Sequence, residues 1–216
     1  MTFTIVFFGW IFSLCLHEFS HALVAYLGGD YTVREKGYLT FNPLKYTHPL
    51  FSIILPLLFL VMGGIGLPGG AVYIERWRIR NPFMLSLMSL AGPLSNLLVA
   101  IVLGFVLRFF SSSIPVAYLP GLSFLLVLQV SAVLFNSIPL PPFDGYNVLE
   151  PFLPEMIRAP MERFRDIAIW VILLLFWFVP AVSNSFWETV FNVSTLIGVD
   201  WGMVIAGLER FRFWEL

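Results

Sequence analysis

His17, Glu18 and His21 stand in the order H-E-x-x-H inside the run FSLCLHEFSHALVAYL, residues 12–27. On a helix, positions i and i+4 share a face, so both imidazoles can grip one metal ion. Glu18 lies beside them, placed to take a proton from water. Imidazole nitrogen and carboxylate oxygen suit zinc, and a catalytic zinc site takes three protein ligands and leaves a fourth position open. One ligand is therefore missing. The chain has three histidines, so the search is short. His48 lies in YTHPL at a membrane boundary, and Asp144 lies in FNSIPLPPFDGYNVL just after an apolar run. The prolines and Gly145 break that run and let its end fold inward. Carboxylates near a membrane helix face a cavity or a partner rather than lipid. Asp144 is the expected third ligand of a single zinc ion, and His48 is left out of the set. Asn96 and Asn136 extend the constellation, because each brings two donors and an acceptor into an otherwise apolar helix.

The elements that must position these groups are membrane helices. Of 216 residues, 59% are hydrophobic and 12% charged, against roughly 25% charged in an ordinary soluble domain. A bilayer-crossing helix needs about 20 mostly apolar residues. Residues 1–27, 82–110 and 121–138 qualify, 167–182 is shorter but dense in large apolar side chains, and 186–208 is weaker because it holds Glu188 and Asp200. Residues 1–27 lack the basic start of a signal peptide and are expected to be retained. The segment 49–66 is apolar but short, contains Pro56 and runs into GGIGLPGGAVYI. If it dips in and returns, eleven of the twelve Lys and Arg residues fall on one face, leaving Arg108 on the other. That asymmetry favours a re-entrant segment with the basic face in the cytoplasm. The expected fold is an all-α polytopic membrane protein of about five to six transmembrane helices, with a small re-entrant β element on the cytoplasmic side.

Two connecting segments read as β structure. DYTVREKGYLTF (30–41) has β-formers flanking Glu35-Lys36-Gly37 and predicts a hairpin. AVYIERWRIR (71–80) alternates, which would put Arg76, Arg78 and Arg80 on one face of a strand towards lipid headgroups. The single cysteine, Cys15, excludes an intrachain disulfide, and a net charge of −1 gives no sign of a nucleic-acid partner.

HEFSH on the first helix, PGGAVYI at 68–74, AGPLSN at 91–96 and NSIPLPPFDG at 136–145 occur in an order and spacing that resembles the site-2 protease family of intramembrane zinc metalloproteases. FNPLKYTHP is similar to the corresponding segment of its short bacterial members without a PDZ domain. The resemblance covers roughly residues 10–150. Where those members continue with His and then Asp-Pro, this chain has Tyr46 and His48-Pro49, and Tyr146 stands where a second glycine often follows the Asp-Gly pair. The resemblance implies that His17, His21 and Asp144 hold zinc and that Glu18 is the general base. It implies that Gly69, Gly70, Ala71 and Val72 form a re-entrant element against an unwound substrate, and that Asn96 and Asn136 orient substrate or active-site groups. Residues 1–155 would be the catalytic membrane core and 156–216 additional C-terminal helices. The implied activity is hydrolysis of peptide bonds in or near transmembrane segments of a membrane-protein substrate, in a bacterial-type inner or plasma membrane, with the site opening to the cytoplasm.

Two other function classes compete. A proteolytically inactive relative that binds membrane helices has no need of Glu18. A metal transporter would distribute its ligands along a path, whereas one compact set is visible.

Overall fold

The computed structural model describes residues 1–46 and 72–212. Among these the chain is helical and contains no strand. The first helix, α1 (Thr2–Leu27), carries the H-E-x-x-H pattern in its C-terminal half. A short helix α2 (Thr32–Glu35) follows. The second long helix, α3 (Pro82–Phe110), starts with the Asn81 side chain accepting from the Phe83 N–H and with Pro82 in its first turn. This is a favourable start, because the proline gives up an N–H that a helix cannot use there. Helix α4 (Leu119–Asn136) is next, and then the short α5 (Asp144–Leu149).

Helix α4 is the centre of the bundle, with 83% of its span buried in protein, against 44% for α1 and 28% for α3. It packs against both, and the outer faces of α1 and α3 carry Phe8, Phe12, Leu94, Leu98, Ile101 and Phe105 exposed. In a bilayer these faces meet hydrocarbon, so no cost attaches to their exposure. The three helices are each long and apolar enough to cross a membrane.

The C-terminal part departs from the sequence reading. Helix α6 (Glu155–Phe178) and helix α7 (Pro180–Ile197) meet at 91°, and taken together they would count as a fourth span. The expected crossing 167–182 is interrupted at Val179, whose extended backbone (φ −117°, ψ 91°) precedes Pro180. Proline disfavours helical geometry in the residue before it. The expected crossing 186–208 is likewise two helices, α7 and α8 (Trp201–Phe211). Gly198 ends α7 in the left-handed region (φ 99°), and the Asp200 carboxylate caps α8 by accepting from the Gly202 N–H at 2.8 Å. Glycine and a capping aspartate two residues apart are a stop and a start signal. Helix α8 then packs back on α4.

The hairpin expected over 30–41 is not formed. Asp30 is fully buried, and its Oδ1 accepts from the Thr32 N–H (3.1 Å) and the Thr32 hydroxyl (2.6 Å), starting α2 instead. Val33 and Tyr38 go into the core beside Ala22, Ala25 and Ile79. The strand expected over 71–80 is also absent from the part described. Residues 76–78 are a 3-10 turn, in which Arg76 reaches Asn147 and Glu150 while Arg78 turns to Glu75. Here side-chain acceptors take the place of a neighbouring strand: the Glu75 N–H donates to Asp30 Oδ2 at 2.7 Å. The proposed re-entrant segment 49–66, His48, and Gly69, Gly70 and Ala71 lie outside the described residues.

Candidate metal centre

Three elements bring the site together. Helix α1 supplies His17, Glu18 and His21, all buried on its inner face. Helix α3 presses against that face at Gly92. A Cβ built there would fall onto His21 Nε2 and within 2.6 Å of His17 Nε2. Any other residue would intrude on both rings. The next residue, Pro93, has no N–H to return to the Ser89 carbonyl, which loosens the helix at this turn. Helix α5 supplies Asp144 from its first residue. It approaches through the segment after α4, which contains the cis Pro141–Pro142 peptide. Gly145 makes the approach possible, since a Cβ there would collide with the backbone carbonyl oxygen of Ser137 and come within 2.8 Å of that of Ile138.

The ligand atoms converge. His17 Nε2 is 3.0 Å from His21 Nε2, and Asp144 Oδ2 is 3.2 Å from the first and 3.3 Å from the second. The opposite ring nitrogens are engaged: His17 Nδ1 lies 3.0 Å from Asn96 Oδ1, and His21 Nδ1 lies 2.7 Å from the Met88 carbonyl oxygen. A carbonyl oxygen accepts and cannot donate, so each Nδ1 carries the hydrogen and each Nε2 is left as a bare lone pair. Two lone pairs and a carboxylate oxygen at these separations repel unless a cation sits among them. A proton would satisfy one pair, whereas a metal ion uses all three donors at once. Tetrahedral zinc, with bonds of about 2.0–2.1 Å, places its ligand atoms roughly 3.3 Å apart. The observed spacing fits, and the donor chemistry is right, so His17, His21 and Asp144 form a group able to hold a metal ion.

Glu18 is 3% exposed and within electrostatic reach of all three ligands. Its Oε2 accepts from the Val72 N–H at 3.1 Å. The sequence reading gave Val72 to substrate; in this structure its N–H orients Glu18. Asn96 is buried, and its Oδ1 accepts from the His17 ring. Asn136 is buried too, and its Nδ2 donates to the Ala132 carbonyl of its own helix at 3.0 Å. Sequence reasoning missed two participants, Gly92 and the Met88 carbonyl. Gly92 stood in view inside AGPLSN, since a glycine in a helix interior next to a proline signals close approach. A backbone carbonyl leaves no trace in a sequence.

Comparison with known proteins bears on this geometry. Over 217 aligned residues, 99% of this chain, it is 43% identical to "Putative zinc metalloprotease Rip2" of Mycolicibacterium smegmatis, covering 82% of that protein. It is 41% identical, with the same coverage, to the protein of that name from Mycobacterium tuberculosis. The chain belongs to the site-2 protease family. A more distant relative, "Putative zinc metalloprotease YwhC" of Bacillus subtilis, is 34% identical over 174 residues, 77% of each chain. No family model matches the chain, and no solved structure matches it significantly. Membership of a zinc metalloprotease family agrees with a donor set of two imidazoles and a carboxylate beside a buried glutamate, carried by apolar helices.

Proposed function

We propose that this chain is an intramembrane zinc endopeptidase that hydrolyses peptide bonds in or near the transmembrane segments of membrane proteins. The observation that carries this reading is the convergence of three lone-pair donors at tetrahedral spacing, two of them with Glu18 on a helix apolar enough to span a bilayer and the third, Asp144, brought to them by α5. His17, His21 and Asp144 would hold one zinc ion, with Asn96 and the Met88 carbonyl fixing the two rings. Zinc, when bound, supplies a Lewis acid that makes water a nucleophile near neutral pH and polarises the scissile carbonyl. Glu18 takes the proton of the attacking water and delivers it to the leaving amine. The Val72 N–H on Oε2 holds the Glu18 carboxylate in one orientation for both transfers.

A helical peptide bond is shielded by its own hydrogen bonds, so substrate must unwind before attack. We assign that contact to the region of Gly69, Gly70, Ala71 and Val72, with residues 71–74 as the edge that would pair with the unwound chain as an added strand and replace its lost main-chain bonds. Asn136, at the inner end of α4, is assigned to the same region. Residues 1–155 would form the catalytic core and 156–216 its supporting helices, with the site open to the cytoplasm of a bacterial-type inner membrane.

Glu18→Gln tests the reading. Purified wild-type and variant protein, assayed on a membrane-anchored reporter with zinc content measured alongside, should bind zinc equally. Cleavage should fall at least a hundred-fold in the variant, in line with loss of a positioned general base worth about 10²–10⁴-fold. Cleavage by the variant at the wild-type rate overturns the mechanism. Equal zinc with no cleavage by either protein favours an inactive, helix-binding relative.

A further inference from the structure

Asp144 reaches the site on a six-residue helix, and such a helix has little stability of its own. Something outside it must fix its position. Two arginines converge on its outer side. Arg76, in the 3-10 turn of residues 76–78, donates from Nη1 to Asn147 Oδ1 at 3.2 Å and pairs through Nη2 with the Glu150 carboxylate. Arg165, on α6, donates from Nη2 to the same Asn147 Oδ1 at 3.5 Å and is itself held by Glu162 at 2.8 and 2.9 Å. From α3, the Ser86 hydroxyl donates to the Val148 carbonyl at 2.6 Å. Asn147 lies three residues beyond Asp144, close to one helical turn, and Glu150 follows the end of the same helix.

Arg76 also sits four residues after Val72, whose N–H holds Glu18. One short segment therefore touches both halves of the centre: by main chain the glutamate on α1, by side chain the helix that carries Asp144. A guanidinium is suited to this, since its planar fork engages an amide oxygen and a carboxylate together, which an ammonium on a flexible stem does not reproduce.

We propose that Arg76 is a positioning residue for the third metal ligand: its two-pronged contact with Asn147 and Glu150 sets where α5 presents Asp144 to His17 and His21. The inference rests on the zinc reading above.

Zinc affinity, measured by chelator competition on the full chain in detergent, is the test. The absorption spectrum of the cobalt-substituted protein reports ligand geometry alongside it. Removing an outer partner of a metal site costs about ten- to a hundred-fold in affinity. Arg76→Ala should fall in that range and shift the cobalt bands. Arg76→Lys should recover part of the loss, because it keeps the charge facing Glu150 and gives up the second prong. Asn147→Ala and Glu150→Ala each remove one prong, should each lose part of the affinity, and decide the matter if Arg76→Ala fails to fold. Arg108→Ala removes a guanidinium from the last turn of α3, at the opposite end of that helix from Ser86, where it lies over the Phe109 ring, and should leave both readouts unchanged. Wild-type affinity and spectrum in the Arg76, Asn147 and Glu150 variants would overturn the proposal, as would an equal loss in Arg108→Ala. If wild-type protein binds no zinc while folded, the reading of the centre itself fails, a result distinct from any ranking among the variants.

Discussion

At Gly92 a missing side chain does as much for the candidate centre as the donor groups do. It lets α3 lie directly on the two imidazoles, so that the Met88 carbonyl and Asn96 on the same helix can fix their outer nitrogens. The four groups are interdependent: Asn96 and Met88 settle which nitrogen carries hydrogen, and only that choice leaves both Nε2 atoms free for a metal. Gly92→Ala tests whether the contact is as close as it looks. The added methyl must displace His17 or His21, and overpacking of this kind costs about 1–3 kcal/mol. We expect the variant to span the membrane normally yet to bind less than one zinc per chain and to lose cleavage. Stoichiometric zinc with wild-type turnover would mean that the helices part easily here. The two histidines of the candidate donor group stood out in the sequence because H-E-x-x-H encodes its geometry in five residues. That the structure brings Asp144 to them was suggested by three prolines and a glycine, which let a carboxylate leave a membrane helix and turn back, together with the family resemblance of the NSIPLPPFDG segment. The Val72 contact was not, since a main-chain N–H belongs to every residue but proline and its target depends on how two distant segments meet.

The element that most changed between sequence and structure is the stretch 72–80. Its alternating pattern reads as a strand, and the β-formers flanking Glu35-Lys36-Gly37 in 30–41 read as a hairpin, yet both described stretches are fixed by side chains. Buried Asp30 holds the Thr32 and Glu75 N–H groups, and Lys36 donates to the Tyr73 carbonyl (3.3 Å) and to Glu75 Oε1 (3.1 Å). Period-2 alternation reports which side chains are apolar; it does not report whether a partner strand is present to pair with. Glu75 binds this latch from the other side. Arg78, donating at 2.6 Å, and then Lys36 hold its carboxyl below the usual carboxylate range. A lowered folded-state value means that the stabilisation is complete above the ordinary glutamate pKa of about 4.3 and is lost as pH falls through the lowered value. Residues 72–80 should therefore lose hydrogen-exchange protection, corrected for intrinsic rates, in an acid step below about pH 4. In Glu75→Gln that protection should be weaker at neutral pH and the Glu75-dependent part of the step gone. An acid step of unchanged size in the variant would assign it to other carboxylates, Asp30 first among them.

On the scale of the whole molecule, the bundle is organised around α4, and one polar contact ties it to the helix that carries His17 and His21. The Ser13 hydroxyl, one turn before His17 on α1, donates to Gln129 Oε1 on α4, where Gln129 is fully buried. Hydropathy located the three long helices of this bundle, because a bilayer requires about 20 apolar residues in a row and the described residues hold three helices of that kind. The C-terminal helices were misjudged for a related reason: hydropathy sums over Val179-Pro180 and over Gly198 to Asp200 without registering that each ends a helix. Which faces meet was not readable, since α1 and α4 are apolar nearly all round. Within such surfaces a buried hydroxyl–amide pair fixes relative rotation and depth. Removing one partner strands the other, at a cost of about 1–3 kcal/mol in a protein interior. Measured pairs between membrane helices average nearer 0.6 kcal/mol. Ser13→Ala and Gln129→Leu should each lower unfolding stability in detergent by about 1 kcal/mol, between those values. The double variant should lose clearly less than their sum, because it strands nothing. Zinc affinity should hold in all three, since the packing around Gly92 places His17 independently of this contact. Strict additivity would mean that the two residues act separately and that apolar packing alone sets the register of α1 on α4.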